Sequence, residues 1–287
     1  MLPRTPVASA DDCKPWGSGM SSPTRSDRRP SVIARQAVIT SDRVIADSAA
    51  ASKPSRDRVT VLAPTGPLSE VIVDLHRAAL HAWADEPRAV FCDLTRVSDE
   101  SGSDGLMTLA LLGRHVRDWP AAPLAVQCPD TAMRRRLRRH PMSEHLIIRA
   151  TQPQCMFELD RIVPPMTARL RLDPVPTACR SARGFVRRAC LGWEIRHGID
   201  SACLVASEFV SNVLLHAGTG MEVSVARYGR RVRLAVRDYS GTLPHKLPRD
   251  VERPGGRGLL LVEAFSRAWG TLPAAVGGKV MWAVLDV

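Results

Sequence analysis

The sequence predicts an α/β protein of two domains behind a disordered N-terminal tail, and three observations carry that expectation. The chain has 287 residues, 45% of them apolar, which exceeds one average domain and supplies two modest cores. Between residues 58 and 160, apolar runs of strand length alternate with helical stretches, the pattern of an α/β layer with a parallel or mixed sheet. The two prolines of RIVPPM, residues 161–166, then interrupt the alternation, and a second set of helices with a β-hairpin follows. The divisions are a tail over 1–56, a first domain over 57–162 and a second over 165–287.

Residues 1–56 are rich in Ser, Pro, Asp, Arg and Ala, with short apolar pieces such as SVIA and RVIA. Such a stretch buries too little surface to offset the entropy of ordering it. Order is expected from about Arg58, where RVTVLAPTG reads as strand and turn. VIVDLHRAALHAW, residues 71–83, sets Val71, Leu75, Ala79 and Trp83 on one helical stripe. RAVFCDL (88–94) and PLAVQC (123–128) are strand-length apolar runs. Helices are expected from near Leu106 and over DTAMRRRLRRH.

In the second half, TARLRL alternates as a strand, and residues 176–191 form a helix with Ala178, Ala182, Phe185 and Cys190 inward. Ile199 to Ala217 is a helix capped by Asp200 or Ser201. EVSVARYGRRVRLAVRD, residues 222–238, is a hairpin with Val223, Val225, Val232, Leu234 and Val236 facing the core. GGRGLLLVEAF opens a helix after a glycine turn, and KVMWAVLDV closes as a strand, so the second domain is an α/β sandwich with helices on one face.

Composition removes several classes of function. No apolar run of about 18 residues could span a bilayer, and MLPRTPVASADDCKPW lacks the apolar stretch of a secretory signal. The seven scattered cysteines form no C-x-x-C pair, which argues against a zinc site or disulfide framework and fits a reducing cytoplasm. The net charge of +11 and the run RRRLRR at 134–139 raise a nucleic-acid reading. Only four of the 40 basic residues are lysines and aromatics are 5%, so an arginine bias and a solvated helix face account for the charge better than a stacking platform does.

The chemistry is concentrated in SEFVSNVLLHAG, residues 207–218, where Glu208 and Asn212 stand one helical turn apart and so project from one face. Asp238 ends the strand LAVRD, and Gly255, Gly256, Arg257 and Gly258 precede a helix. A buried Asp at a strand end can accept a hydrogen bond from an exocyclic amine such as that of adenine. A glycine turn opening a helix brings backbone N–H groups and the favourable end of the helix dipole to phosphate oxygens. An Asn carboxamide oxygen suits magnesium, and a Glu one turn away can orient or deprotonate a hydroxyl or water. Together these describe an ATP site.

ASEFVSNVLLHAG, VRDYSG, GGRGLLLVEAFSRAWG and GGKVMWAVL resemble, in order, the N box, adenine-binding Asp motif, lid-glycine motif and final strands of histidine-kinase-like ATPases of the Bergerat fold. The resemblance covers about residues 165–287 and is greatest to the anti-sigma-factor serine/threonine kinase branch. It implies Glu208 as the general base toward a serine hydroxyl, Asn212 as magnesium ligand and Asp238 as the adenine-binding Asp. It also implies that Gly255, Gly256 and Gly258 with Leu259 form the lid end of the nucleotide site, that Arg257 neutralises phosphate charge, and that Gly241 closes the Asp motif. His216 holds the N-box histidine position, with capping of helix-end carbonyls as its other reading. The Asp motif often runs D-x-G, whereas here it runs Asp238, Tyr239, Ser240, Gly241.

Residues 58–160 resemble a STAS domain, the fold of anti-sigma-factor antagonists, through VTVLAPTGPL and FCDLTRVSDESGSDGLMTLALLGRHV. In that family a loop serine at a helix N-terminus is phosphorylated by a partner kinase; Ser103 and then Ser101 are the candidate acceptors here, against the reading of an unmodified capping loop. No phospho-acceptor histidine stands upstream, which disfavours a two-component kinase. The expected function is an ATP- and magnesium-dependent kinase of a STAS-domain protein, in cis or in trans, in control of a sigma factor, the first domain serving as substrate or docking on the ATP lid. A non-catalytic docking protein and an ATP hydrolase are the alternatives, and homodimerisation is implied by the family alone.

Overall fold

The computed structural model describes residues 31–40, 43–46, 59–99, 103–118, 122–240, 256–274 and 277–287. They form two sheets, the first largely parallel and the second antiparallel. In the first, β1 (Ser31–Thr40), β2 (Arg43–Ala46), β3 (Val59–Pro67), β4 (Ala89–Asp93), β6 (Leu124–Gln127) and β7 (Ile147–Arg149) run in the order β2-β1-β3-β4-β6-β7, with β5 (Val97–Ser98) paired to β3. Helices α1 (Leu68–Ala84), α2 (Ser103–Asp118), α3 (Thr131–Arg139) and α4 (Gln152–Asp160) connect them.

A hairpin of β1 and β2 lies within the stretch expected to be the tail. β1 pairs antiparallel with β3 from Ser31 opposite Thr65 to Ala37 opposite Val59, so described strand structure is present before Arg58. Segments as short as SVIA and RVIA do not form a core of their own, but an existing strand edge supplies the hydrogen-bond partners that a local reading omits. Residues 1–30 lie outside the described residues.

The second sheet, in the order β11-β12-β10-β9-β8, contains β8 (Met166–Leu172), β9 (Met221–Tyr228), β10 (Arg231–Asp238), β11 (Ala268–Pro273) and β12 (Lys279–Asp286). Its helices are α5 (Ala178–Gly192), α6 (Ile199–His216) and α7 (Gly256–Phe265). Alternation along the strands splits the sheet into two faces. Val223 and Val225 of β9, Val232, Leu234 and Val236 of β10 and Met281, Ala283 and Leu285 of β12 pack against α5 and α6. Ala235, Leu272, Val280, Trp282 and Val284 point the other way and join the apolar cluster of α1, which includes Leu75, Ala79 and Trp83. Helix α1 therefore lies between the sheets, and α4 covers the far face of the first through Cys155, Met156 and Leu159. The layers run helix, sheet, helix, sheet, helix.

Charged groups complete the contact between the two sheet units. Asp85 and Glu86 follow α1, and Glu86 takes a left-handed backbone with φ of 49°, a conformation that costs a non-glycine residue roughly 1–2 kcal/mol. That turn carries its carboxylate under the second sheet. Glu86 Oε1 lies 2.8 Å from an Arg233 guanidinium nitrogen and accepts from Ser224 Oγ at 2.8 Å, and Glu86 Oε2 pairs with Arg169 at 2.7 Å. Asp85 pairs with Arg237 at 2.8 Å. Arg233 is 2% exposed and Glu86 10%, so a charge pair links the two units inside the protein rather than at its rim.

Helix α6 begins differently from expectation. Its N-cap is Gly198, left-handed at φ 73°, with no side-chain cap. A Cβ there would come within 3.0 Å of the Asp286 carbonyl oxygen, so close packing against the last strand selects glycine. Asp200 instead pairs with Arg187 of α5 at 2.6 Å. The arginines of α3 are largely committed within the chain: Arg134 donates to the Cys128 carbonyl at 2.6 Å, Arg136 pairs with Asp99 at 2.5 Å and Arg138 donates to the Ile148 carbonyl. Among the described residues no helix is long and apolar enough to cross a membrane.

Burial also fixes the chemistry of the cysteines. Desolvation pushes the thiols of Cys128, Cys155 and Cys190 up to about 11 from an ordinary value near 9, and that of Cys92 further still. Below about pH 9 these thiols are protonated whether the chain is folded or not. Between about pH 9 and pH 11 the unfolded chain loses protons that the folded one keeps, so stability falls as pH rises. Urea midpoints measured in reductant should drop across that window, and a Cys128→Ala, Cys155→Ala, Cys190→Ala triple variant should show a shallower drop.

Candidate functional site

The candidate site lies at the end of the second sheet where α6 terminates. Register sets this arrangement: Asp238 at the end of β10 pairs with Met221 at the start of β9, and β9 follows directly from the C-terminal end of α6. Tyr239 N–H donates to Thr219 Oγ1 at 3.3 Å, tying the two connections together. Helix α5 braces α6 immediately before Glu208. Ser207 Oγ donates to the Cys203 carbonyl at 2.9 Å and accepts from Arg183 at 3.1 Å.

Glu208 meets the glycine-turn helix directly. A Cβ built on Gly258 would overlap Glu208 Oε2 and stand 3.2 Å from Glu208 Cδ. The first turn of α7 thus meets the Glu208 carboxylate at a residue with no side chain, and Val262 one turn later is fully buried in the helix-side core. Asn212 is half-buried one turn beyond Glu208, Leu259 is half-buried against the same core, and His216 is exposed in the last turn of α6. Gly256 and Arg257 open α7, and Ser103 opens α2. Gly241, Gly255 and Ser101 lie outside the described residues.

Asp238 is 1% exposed and closely enclosed. Its Oδ1 accepts from the backbone N–H of Lys279 at 3.1 Å and of Ser240 at 3.3 Å, and Lys279 Nζ sits 2.8 Å from Oδ2. The Lys279 contact to Oδ2 is an ion pair by distance without hydrogen-bond alignment. Gly278, at φ 81°, lies flush against this residue, since a Cβ there would overlap the Asp238 carbonyl oxygen and stand 2.9 Å from Oδ1. Neither Gly278 nor Lys279 was singled out by sequence reasoning as part of the site; the paired glycines before the closing strand were the available signal.

The residues fit the two ends of an ATP site unequally. At the proposed phosphate end, Glu208 and Asn212 offer hard oxygens on α6, with Glu208 in contact with the first turn of α7. Among the described residues no group of three or more His, Cys, Asp or Glu could hold a metal, so magnesium bound at Asn212 would draw its other ligands from phosphate and water. At the base end, Asp238 already holds a cation of its own chain.

No family model matches the chain, and no curated protein matches it. Among solved structures it is similar to the RsbU and RsbW domains of Rv1364c from Mycobacterium tuberculosis, at 22% identity and a TM-score of 0.33, over 43% of this chain and 33% of that one. The chain thus spans about a third of that neighbour's length.

Proposed function

We propose that the chain is an ATP-binding regulatory protein with serine/threonine kinase activity toward a STAS-domain protein, acting in partner-switching control of a sigma factor. The observation that carries this reading is the contact of the Glu208 carboxylate with Gly258, one helical turn from Asn212. A carboxylate, a magnesium-compatible carboxamide and a helix start then stand together. ATP and magnesium, when bound, supply the phosphoryl group and its charge neutralisation. Glu208 accepts the proton of the attacking serine or threonine hydroxyl as its oxygen bonds to the γ-phosphorus and the bond to the departing ADP oxygen breaks. The helix N-terminus stabilises the negative charge of the phosphates.

The layer order favours a substrate in trans. Helix α2, which Ser103 opens, packs with α1 on one side of the second sheet, and Glu208 stands on α6 on the other. Helix α1 is held on the sheet face opposite α6 by apolar packing and by the Glu86 and Asp85 ion pairs, while residues 241–255, before α7, lie outside the described residues. The test is incubation of the full chain with labelled ATP, magnesium and a separate STAS-domain protein. Label on a Ser or Thr of that protein is the expected result; label confined to this chain's own serines would overturn the trans assignment.

A second reading, a non-catalytic docking protein, is favoured by one observation: the Lys279 ammonium already occupies the carboxylate that would receive the base. Nucleotide binding without any phosphoryl transfer or release of inorganic phosphate would select it.

A further inference from the structure

We infer that Lys279 sets the nucleotide affinity of this site by occupying the base-recognising carboxylate, so that an adenine amine must displace its ammonium or share an oxygen with it. The inference rests on the nucleotide reading above. A carboxylate has about four lone-pair positions. On Asp238, Oδ1 takes two backbone N–H groups, from Lys279 and Ser240, and Oδ2 faces Lys279 Nζ at 2.8 Å. A neutral exocyclic amine competes at that oxygen with a full positive charge 2.8 Å away, or takes the lone pairs that the ammonium leaves without an aligned hydrogen bond. Enclosure strengthens the hold: Asp238 is 1% exposed and Lys279 18%, and water screens little at that depth.

The contact is nevertheless built to open. Lys279 follows Gly277 and Gly278, which have φ of 90° and 81°, and its remaining exposure gives the ammonium a route to solvent on a flexible four-carbon stem. Oδ1 stays held by backbone donors whatever the lysine side chain does, so Asp238 keeps its orientation when Nζ leaves. Lys279 is then a determinant of affinity at the base end, while Glu208 and Asn212 serve the phosphate end.

Calorimetric titration of the full chain with magnesium and ATP tests this, comparing wild type with Lys279→Thr and Lys279→Gln. Both variants should bind at least about ten-fold more tightly, with a smaller ordering of the site needed to free Oδ2. An independent readout uses the chain's small number of lysines: acylation of Lys279, followed by mass spectrometry, should be slow in the free protein and faster at saturating ATP. Wild-type binding that is measurable and not improved by either substitution overturns the inference and leaves the nucleotide reading standing. Absence of binding in wild type and in both folded variants overturns the nucleotide reading, and the inference with it. Should the substitutions prevent folding, rapid acylation of Lys279 in the nucleotide-free wild type is the overturning result, and slow acylation that ATP accelerates is the supporting one.

Discussion

Glu86→Ala should destabilise the protein by about 3–5 kcal/mol, the cost typical of removing one partner of a buried ion pair. Arg233 is 2% exposed, and Glu86 is the carboxylate that neutralises it from the other sheet unit while also accepting from Ser224 and pairing with Arg169. Truncation removes these three interactions together, at a guanidinium whose side chain is 2% exposed. Chemical denaturation should show the loss as a lower midpoint. A Glu86→Gln, Arg233→Met double variant, which removes both charges while keeping most of the volume, should recover much of it. A midpoint for Glu86→Ala within about 1 kcal/mol of wild type would mean that the pair behaves as a solvent-exposed one. Asp85→Ala should cost less, because Asp85 and Arg237 are 23% and 19% exposed.

This dependence on a distant partner explains which parts of the fold were legible in the sequence. The stripe of Val71, Leu75, Ala79 and Trp83 was readable because a helix buried along one face repeats at helical spacing, and all four are buried. The inward valines and leucine of β9 and β10 were readable for the same reason, with a period of two. Alternation reports which face of a strand is apolar and says nothing of what covers the other. Arg233 and Arg237 therefore read as ordinary polar positions on β10, although the residues that meet them, Glu86 and Asp85, stand far back in the chain. Strand β11 went unread because AWGTLP carries a glycine and a proline; its pairing with β12 comes from the partner strand. The same limit hid β1 and β2, whose order comes from the edge of β3.

The site divides along the same line. Glu208 and Asn212 were grouped because their spacing on a helix implies a shared face, and the structure sets Glu208 against Gly258 of the glycine turn. Glycine at 258 lets the backbone of α7 stand against the Glu208 carboxylate without displacing it. Lys279 could not be found that way. A single lysine at the start of a strand has no periodic signature, and its meeting with Asp238 depends on β12 lying beside β10. Local pattern therefore selected the groups proposed to act on phosphate, and tertiary pairing decides how enclosed Asp238 is.

Glu208→Gln should lower phosphoryl transfer by roughly 10²–10⁴-fold, the usual contribution of a positioned general base, while leaving the affinity for ATP within a few-fold of wild type. The substitution keeps shape and removes the ability to take a proton, so its effect belongs in the rate rather than in binding. Gly258→Ala supplies the contrast. Its Cβ would overlap Glu208 Oε2, so either the carboxylate swings away or the first turn of α7 withdraws from α6. The first outcome lowers the rate alone; the second also weakens nucleotide binding, because the helix start proposed to face the phosphates moves. Single-turnover rates and calorimetric affinities for both variants separate these effects. Equal rates for Glu208→Gln and wild type would remove Glu208 from the proton transfer, and with it the catalytic reading of the contact between α6 and α7.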